Sequence, residues 1–273
     1  MYADLHLHTY FSDGTYSPEE LVSHARASDL GTISLTDHDT VEGCERAHAA
    51  CREAGIEFIT GCEFTVEHGH RELHLLGYYL DTQNAPLQAA LSRHQAARRE
   101  RVRQMIERLN ALGIPICEET VDGLAACRAP GRPHLARALV QQGYCESMDA
   151  AFQTYLKRGR SAWVAKEKMT CAEAITIIHG AGGVAVMAHP GITHMDDAIP
   201  ELARSGLDGL ECFYTRHSTA MTERYLALAA RLGLLVTGGS DCHGMNKGRP
   251  LMGGIRVPIE YVGRLKAAAR VAA

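Results

Sequence analysis

This sequence of 273 residues has few aromatic side chains, a small net charge and no long apolar runs. It contains one Trp and five Phe, and its 28 Lys and Arg oppose 32 Asp and Glu, for a net charge of −4. A slightly acidic chain is not typical of proteins that coat nucleic acid. No run of about 18 apolar residues occurs, so the sequence predicts no transmembrane helix.

The sequence also lacks the patterns of export and of disulfide stapling. Its N-terminal segment MYADLHLHTYFSDG has neither the basic nor the apolar region of a signal peptide. The nine cysteines form no C-x-x-C pair, their number is odd, and the chain is too long for a disulfide-stapled mini-domain. We therefore expect a cytoplasmic protein with reduced, mostly buried thiols.

The segments that are present alternate between two kinds of pattern. Seven short apolar runs have the length of strands, at 2–8, 32–36, 57–66, 74–80, 183–189, 209–214 and 234–240. Most are separated by helical patterns, at 17–27, 41–54, 171–181, 199–205 and 219–232. Such alternation predicts a parallel α/β architecture. Because a (β/α) barrel needs about 250 residues, we predict a distorted, TIM-like α/β barrel of seven strands.

The segment 92–168 breaks this alternation. It contains three helical patterns, the first of them rich in arginine, and no pattern typical of a strand. We predict that it is a helical insertion in a barrel formed by residues 1–91 and 169–273. Basic residues outnumber acidic ones within it, which a solvated helix face would also explain.

Histidine is abundant, with 15 residues, and many of them lie next to the predicted strands. Six histidines and three carboxylates occupy such positions: His6, His8, Asp13, His38, Glu63, His74, His189, Asp241 and His243. In α/β barrels the site is assembled at the carboxyl ends of several strands. A single buried histidine is more often structural, but nine such groups at one rim point to a metal centre.

The kinds of ligand limit the choice of metal. Histidine with carboxylate and no thiolate suits Mn²⁺, Zn²⁺ or Fe²⁺. Nine ligands are more than one ion would take while leaving room for water, and a carboxylate such as Glu63 can bridge two ions. We therefore predict two or three divalent metals, with Mn²⁺ preferred.

In order along the chain, these motifs resemble those of the PHP (polymerase and histidinol phosphatase) family of phosphoesterases. The resemblance rests on HLH at 6–8, DG at 13–14, TDHD at 36–39, Glu63, His74, AHP at 188–190 and SDCH at 240–243. It implies a PHP-type barrel and a trinuclear centre. The implied ligand sets are His6, His8, Glu63 and Asp241; Glu63, His74 and His189; and Asp13, His38 and His243.

The resemblance is greatest to the small bacterial members that act on nucleotides. It implies catalytic and phosphate-binding roles for Arg132, His134, Arg160 and His217, with the insertion capping the site. A metal-bridging hydroxide would attack phosphorus, the metals with Arg132 and Arg160 would neutralise the developing charge, and His217 or a metal-bound water would protonate the leaving oxygen. The implied substrates are 3′,5′-bisphosphorylated nucleotides or short 5′-phosphorylated oligoribonucleotides. Long duplex nucleic acid and membranes are not expected partners.

Three other functions fit part of the pattern. A histidinol-phosphate phosphatase would use the same centre and is the nearest competitor. An amidohydrolase cleaving C–N bonds would usually add a bridging lysine, but the nearest candidates, Lys157, Lys166 and Lys168, lie in or beside the insertion. A non-enzymatic metal-stabilised domain would be expected to have lost ligands, yet all nine positions are filled. The sequence leaves the oligomeric state open.

Overall fold

A computed structural model describes residues 2–125, 127–165, 169–247 and 250–269. All seven predicted strands are present, together with two strands of two residues each that the sequence analysis did not predict. In chain order the strands are β1 Tyr2–Leu7, β2 Leu30–Leu35, β3 Glu57–His68, β4 Arg71–Tyr78, β5 Met169–Thr170, β6 Val184–Met187, β7 Gly209–Tyr214, β8 Leu235–Gly239 and β9 Val257–Pro258.

The five predicted helices are also confirmed. The helices are α1 Pro18–Ala27, α2 Cys44–Ala54, α3 Ala85–Ala111, α4 Glu118–Leu124, α5 Arg132–Gln141, α6 Met148–Ala151, α7 Cys171–Gly180, α8 Pro190–Thr193, α9 Ile199–Arg204, α10 Thr219–Leu232 and α11 Ile259–Ala268. A π-helical turn, Phe152–Leu156, follows α6. The start of α1 shows why local sequence sufficed here. The Ser17 side chain accepts the amide of Glu20, and the Glu20 side chain caps the amide of Ser17.

The main sheet has the strand order β8-β7-β6-β4-β3-β2-β1-β9, and β5 pairs with β3. The sheet closes into a distorted barrel through a parallel bridge between Leu7 and Cys242. There the His8 amide donates to the Cys242 carbonyl at 3.0 Å, and the Asp241 amide donates to the His6 carbonyl at 2.9 Å. The predicted α/β barrel of seven main strands is therefore confirmed.

One of the seven predicted strands corrects the expectation of a parallel sheet, and the short strand β9 also pairs antiparallel, with β1. β4 runs antiparallel to both of its neighbours, β3 and β6. Only Gly69 and His70 separate β3 from β4, and a parallel connection needs a crossover of a dozen or more residues. This reversal brings the first half of β4 to the end of the barrel where the parallel strands finish.

The described residues between β4 and β5 form helices joined by turns and loops, without a strand. Leu87 and Leu91 at the start of α3 pack into the barrel core. Met105 and Leu109 near its end belong instead to a second apolar cluster, formed with α4, α5 and Leu156. α3 thus begins before residue 92 and links two hydrophobic cores. The division at 92–168 stays a prediction, and residues 126 and 166–168 lie outside the described part.

Across the described ranges, no helix combines the length and the apolar character needed to cross a lipid bilayer.

Candidate metal centre and adjoining cleft

Glu63 lies at the centre of a buried cluster at the carboxyl end of the barrel. β3 continues past the end of β2, so Glu63 pairs with His38 in an isolated parallel bridge. Five imidazoles approach its carboxylate. The distances are 3.3 Å from His6 Nε2, 3.2 Å from His8 Nε2 and 3.1 Å from His38 Nδ1 to Oε2, and 2.7 Å from His74 Nδ1 and 3.1 Å from His189 Nε2 to Oε1.

Asp241, Asp13 and His243 complete the cluster on the side of His8. His8 Nε2 and His243 Nδ1 each lie 3.3 Å from Asp241 Oδ1. His243 Nε2 lies 3.2 Å from Asp13 Oδ1. The structure thus brings together all nine residues that the sequence analysis selected as candidate ligands.

The cluster contains four sets of residues, and within each set the ligand atoms all lie within 4.8 Å of one another. The sets are His8, Asp13, His38 and His243; His6, His8 and Asp241; His6, Glu63 and His189; and His38, Glu63 and His74. The first set contains the whole Asp13, His38 and His243 group implied by the resemblance. In addition, His38 contacts Glu63, so it stands between two groups. The assignment of ligands to individual ions stays a prediction.

The donor atoms of this cluster fit divalent cations. His6 Nε2, His8 Nε2, His38 Nδ1, His74 Nδ1 and Glu63 Oε2 are buried, and they have no hydrogen-bond partner among the described residues. Their close approaches therefore lack hydrogen-bond geometry, and leaving polar atoms so buried is costly unless a cation satisfies them. The donors are nitrogen and carboxylate oxygen, with no cysteine in the four sets, which suits Mn²⁺, Zn²⁺ or Fe²⁺.

Charge within the cluster keeps the carboxylates ionised. Burial would raise the pKa of Glu63, but the neighbouring His38, His74 and His6 hold it well below its usual range. Burial lowers the pKa of His38 to about 3. Burial would also lower the pKa of His8, but the adjacent carboxylates of Asp241 and Glu63 raise it to about 9.

Two buried carboxylates that the sequence analysis missed support the cluster from behind. Glu211 Oε1 lies 2.9 Å from His6 Nδ1, and Glu211 Oε2 accepts the His189 amide at 2.7 Å. Asp37 accepts hydrogen bonds from the Thr9 amide and hydroxyl at 2.8 and 2.6 Å. The available signal was an acidic residue inside an apolar strand, GLECFY at 209–214.

The backbone is strained where two ligand residues leave their strands. His189 follows β6 with φ of 30°, and Asp241 follows β8 with φ of 54°. The left-handed region is unfavourable for residues other than glycine, by roughly 1–2 kcal/mol, and such strain concentrates at functional sites. The surrounding contacts hold both conformations, since Tyr214 Oη donates to Asp241 Oδ2 at 2.9 Å and Glu211 accepts the His189 amide.

A cleft of about 120 Å³ opens beside the cluster, and its walls are strongly basic. Its lining includes Asp13, His38 and His74 of the cluster and the arginines Arg98, Arg101 and Arg132. Arg132 Nη2 lies 3.4 Å from Glu72 Oε1, and its phosphate-binding role stays a prediction. Arg98 and Arg101 on α3 were not selected from the sequence, although the arginine-rich pattern containing them was noted.

The other three predicted phosphate-binding residues take different positions. His134 is buried, and its Nδ1 accepts the Gly131 amide at 3.1 Å, so its ring caps α5. His217 engages backbone through both ring nitrogens, with Nδ1 2.9 Å from the Cys212 carbonyl and Nε2 accepting the Gly191 amide at 3.2 Å. Arg160 is exposed in a turn and does not line the cleft. The roles predicted for all three stay predictions. The contacts of His134 and His217 with backbone groups are those of structural residues.

A larger cavity of about 400 Å³ adjoins the cleft and shares Glu72, Arg101 and Arg132 with it. Its further lining includes Arg71, Arg158 and Trp163. A cavity of this size can hold a nucleoside-sized ligand, and its lining combines several cations with the one tryptophan of the chain.

The sequence of this chain is similar to a known family model and to characterised proteins. The family model described as PHP domain matches residues 4–169. The chain is 35% identical to the 3′,5′-nucleoside bisphosphate phosphatase of Chromobacterium violaceum over 254 residues, which cover 90% of this chain and 88% of that protein. It is 36% identical to the 5′-3′ exoribonuclease of Haemophilus influenzae over 248 residues, covering 88% and 89%.

A solved structure shows the same likeness. A protein of Bifidobacterium adolescentis, assigned as a metal-dependent phosphoesterase, superposes with a TM-score of 0.90 at 33% identity. The superposition covers 98% of this chain and 96% of that one.

Proposed function

The chain belongs to the PHP family, and we propose that it is a metal-dependent phosphoesterase that hydrolyses phosphate esters of nucleotides. The observation that carries this proposal is the juxtaposition of two sets of residues. Nine imidazole and carboxylate groups converge at one end of the barrel, and three arginines line the same cleft as Asp13, His38 and His74 of that cluster. Such an arrangement suits a reacting phosphate that needs both metal ions and fixed cations.

We propose that the nine clustered residues hold two or three divalent metals, with Mn²⁺ as the preferred ion. Bound there, divalent ions would supply Lewis acidity toward phosphate oxygens and toward water. The protein's own contribution is a buried ligand set, because Glu63 is 1% exposed and its five imidazole neighbours come from four different segments.

Arg101 and Arg132 are the side chains that we propose to bind the phosphate oxygens. Arg98 lies beside them but is already paired with Asp39 at 3.0 Å. Burial and the nearby charges of Arg132 and Arg98 lower the pKa of Arg101 to about 10, so it remains protonated at neutral pH. An anion placed between such crowded cations relieves their repulsion and accepts charge-assisted hydrogen bonds.

The adjoining cavity is the proposed site for the base and ribose. Trp163 offers an aromatic face on which a base can stack, and Arg158 lies in the same wall. The substrate class proposed for this chain is therefore a 3′,5′-bisphosphorylated nucleotide or a short 5′-phosphorylated oligoribonucleotide. The names of the two curated relatives, a nucleoside bisphosphate phosphatase and an exoribonuclease, support this choice.

The charge of the cavity argues against histidinol phosphate as the main substrate. Four arginines, Arg71, Arg101, Arg132 and Arg158, line it with only two acidic residues, Glu67 and Glu72. A substrate carrying an ammonium group would meet an excess of like charge there, whereas a second phosphate would be attracted. An amidohydrolase would usually have a lysine that bridges its metals. Of the candidate lysines, Lys157 is exposed, and Lys166 and Lys168 lie outside the described residues.

The test is release of phosphate or mononucleotide from adenosine 3′,5′-bisphosphate and short oligoribonucleotides, with Mn²⁺ added and histidinol phosphate assayed in parallel. We expect turnover of the nucleotides, and loss of it in His8→Ala and Asp241→Asn. Unchanged turnover in both variants, or a clear preference for histidinol phosphate, would contradict the proposal.

A further inference from the structure

We infer that Glu211 is a positioning residue that determines which ring nitrogen of His6 faces the metal centre. The inference rests on the metal centre proposed above and concerns how the protein prepares one ligand for it. Glu211 lies on β7 and is completely buried. Its described contacts join it to His6 and His189, and none of them is with a carboxylate of the cluster.

The two nitrogens of His6 face different carboxylates. Nδ1 lies 2.9 Å from Glu211 Oε1, in a hydrogen bond. Nε2 lies 3.3 Å from Glu63 Oε2 and 3.6 Å from Asp241 Oδ1, without hydrogen-bond geometry. A carboxylate only accepts hydrogen bonds, so the proton belongs on Nδ1, and the lone pair of Nε2 is left for a cation.

The second oxygen of Glu211 acts on another predicted ligand. Oε2 accepts the backbone amide of His189 at 2.7 Å, at the residue whose φ is 30°. The rings of His6 and His189 are stacked, with 5.7 Å between their centroids. One buried side chain therefore orients the ring of His6 and holds the turn that carries His189.

The substitution Glu211→Gln separates these roles with little change in shape. The Gln oxygen can still accept the His189 amide, which leaves the amide NH₂ group facing His6 Nδ1. Two donors cannot share that contact, so His6 must accept at Nδ1 and carry its proton on Nε2. A protonated Nε2 cannot bind a metal, and it faces Glu63 as a donor instead.

The chain contains a matched control at the other end of β7. Asp208 Oδ2 lies 2.7 Å from His179 Nε2 and accepts the Ala185 amide at 2.8 Å. This is the same combination of carboxylate, imidazole and backbone amide, built away from the cluster. Asp208 is 34% exposed whereas Glu211 is fully buried, so Asp208→Asn should cost less stability and should leave metal binding unchanged.

The first measurement is Zn²⁺ binding to metal-free protein by calorimetry, with folding checked by circular dichroism. Loss of an outer carboxylate partner typically weakens metal binding about 10- to 100-fold, and we expect this loss in Glu211→Gln. Asp208→Asn should keep the wild-type affinity. A folded Glu211→Gln protein with wild-type affinity would overturn the inference.

The second measurement needs no variant and so does not depend on one folding. In ¹⁵N-histidine-labelled wild-type protein loaded with Zn²⁺, the imidazole NMR spectrum should show His6 protonated at Nδ1 and bound to metal through Nε2. Protonation at Nε2 would overturn the inference. If the wild type and Asp208→Asn both fail to bind Zn²⁺ and Mn²⁺, the proposed function itself fails, which is a different outcome from a silent Glu211→Gln substitution.

Discussion

Asp39 and Arg98 form a buried ion pair that joins the loop after β2 to the long helix α3. Arg98 Nη1 lies 3.0 Å from Asp39 Oδ2, and the two side chains are 12% and 2% exposed. Asp39 also accepts the Thr65 amide at 3.0 Å, and its neighbour His38 is a candidate ligand. The helical region is thereby attached directly to the metal-binding rim of the barrel.

The first prediction concerns the energy of this attachment. Removing one partner of a buried pair leaves an uncompensated charge and costs about 3–5 kcal/mol. We expect Arg98→Met to lower the free energy of unfolding by about that amount in urea denaturation. Arg103 on the same helix pairs with Glu100 in the solvent and serves as the control. Arg103→Met should leave the free energy of unfolding almost unchanged, because exposed ion pairs contribute little, and equal losses would contradict the assignment.

The second prediction tests the arginines of the cleft. A charge-assisted hydrogen bond contributes about 1.5–3 kcal/mol, which corresponds to roughly 10- to 100-fold in binding. We expect Arg132→Gln and Arg101→Gln each to raise KM for nucleotide by that factor, measured by phosphate release. Arg103→Gln, two residues from Arg101 but facing solvent, should leave KM unchanged. The assignment fails if the three variants behave alike.

Arg160 is a residue for which the sequence and the structure lead to different expectations. The resemblance to nucleotide-directed relatives implies that Arg160 contacts phosphate, whereas its side chain is exposed and outside the cleft. Because Arg160 lies outside the cleft, Arg160→Gln should keep the wild-type KM and kcat in the same assay. A loss comparable to that of Arg132→Gln would support the prediction from sequence.

The third prediction concerns Trp163 and base stacking. Stacking on an aromatic side chain contributes about 1–3 kcal/mol per base. We expect Trp163→Ala to raise KM for adenosine 3′,5′-bisphosphate by roughly 5- to 100-fold, and to leave hydrolysis of p-nitrophenyl phosphate, which has no base, unchanged. Since Trp163 is the only tryptophan, quenching of its fluorescence by nucleotide provides a second measurement. An equal loss with both substrates would indicate a structural role instead.

The fourth prediction is a pH dependence that arises from His134. Burial, with Arg137 and Arg98 nearby, lowers its pKa from 6.5 to about 4. A lowered pKa means that stability is complete above pH 6.5 and is lost as the pH falls toward 4. This lowering of the pKa of His134 corresponds to a loss of about 3 kcal/mol in the free energy of unfolding across that pH range. Trp163 fluorescence should therefore report loosening of the helical region in this range.

The substitution His134→Asn provides the control for this pH dependence. The Asn oxygen can accept the Gly131 amide as His134 Nδ1 does, but it does not titrate between pH 6.5 and 4. The variant should lose the acid-dependent fluorescence change while remaining folded at pH 7. An unchanged acid transition would show that another group causes it.

The strand and helix patterns predicted most of the barrel because they depend on local sequence. Capping residues such as Ser17 and apolar runs such as 209–214 determine elements through neighbouring residues alone. The direction of β4 was harder, since it depends on a short turn at Gly69 rather than on the periodicity of the strand. That reversal, in turn, is why His74 reaches the cluster from the beginning of its strand instead of the end.

The sequence by itself determined the kind of chemistry, because residue types and their order along the chain specify a set of nitrogen and oxygen ligands. Tertiary structure alone decided which cations face the metal centre. Helical periodicity indicates that Arg98 and Arg101 share a face of α3, but only the packing of that helix on the barrel selects this face over the one carrying Arg103. Likewise, Glu211 contacts His6 from 205 residues away. Contacts between distant segments follow from the folded arrangement, which no local pattern records.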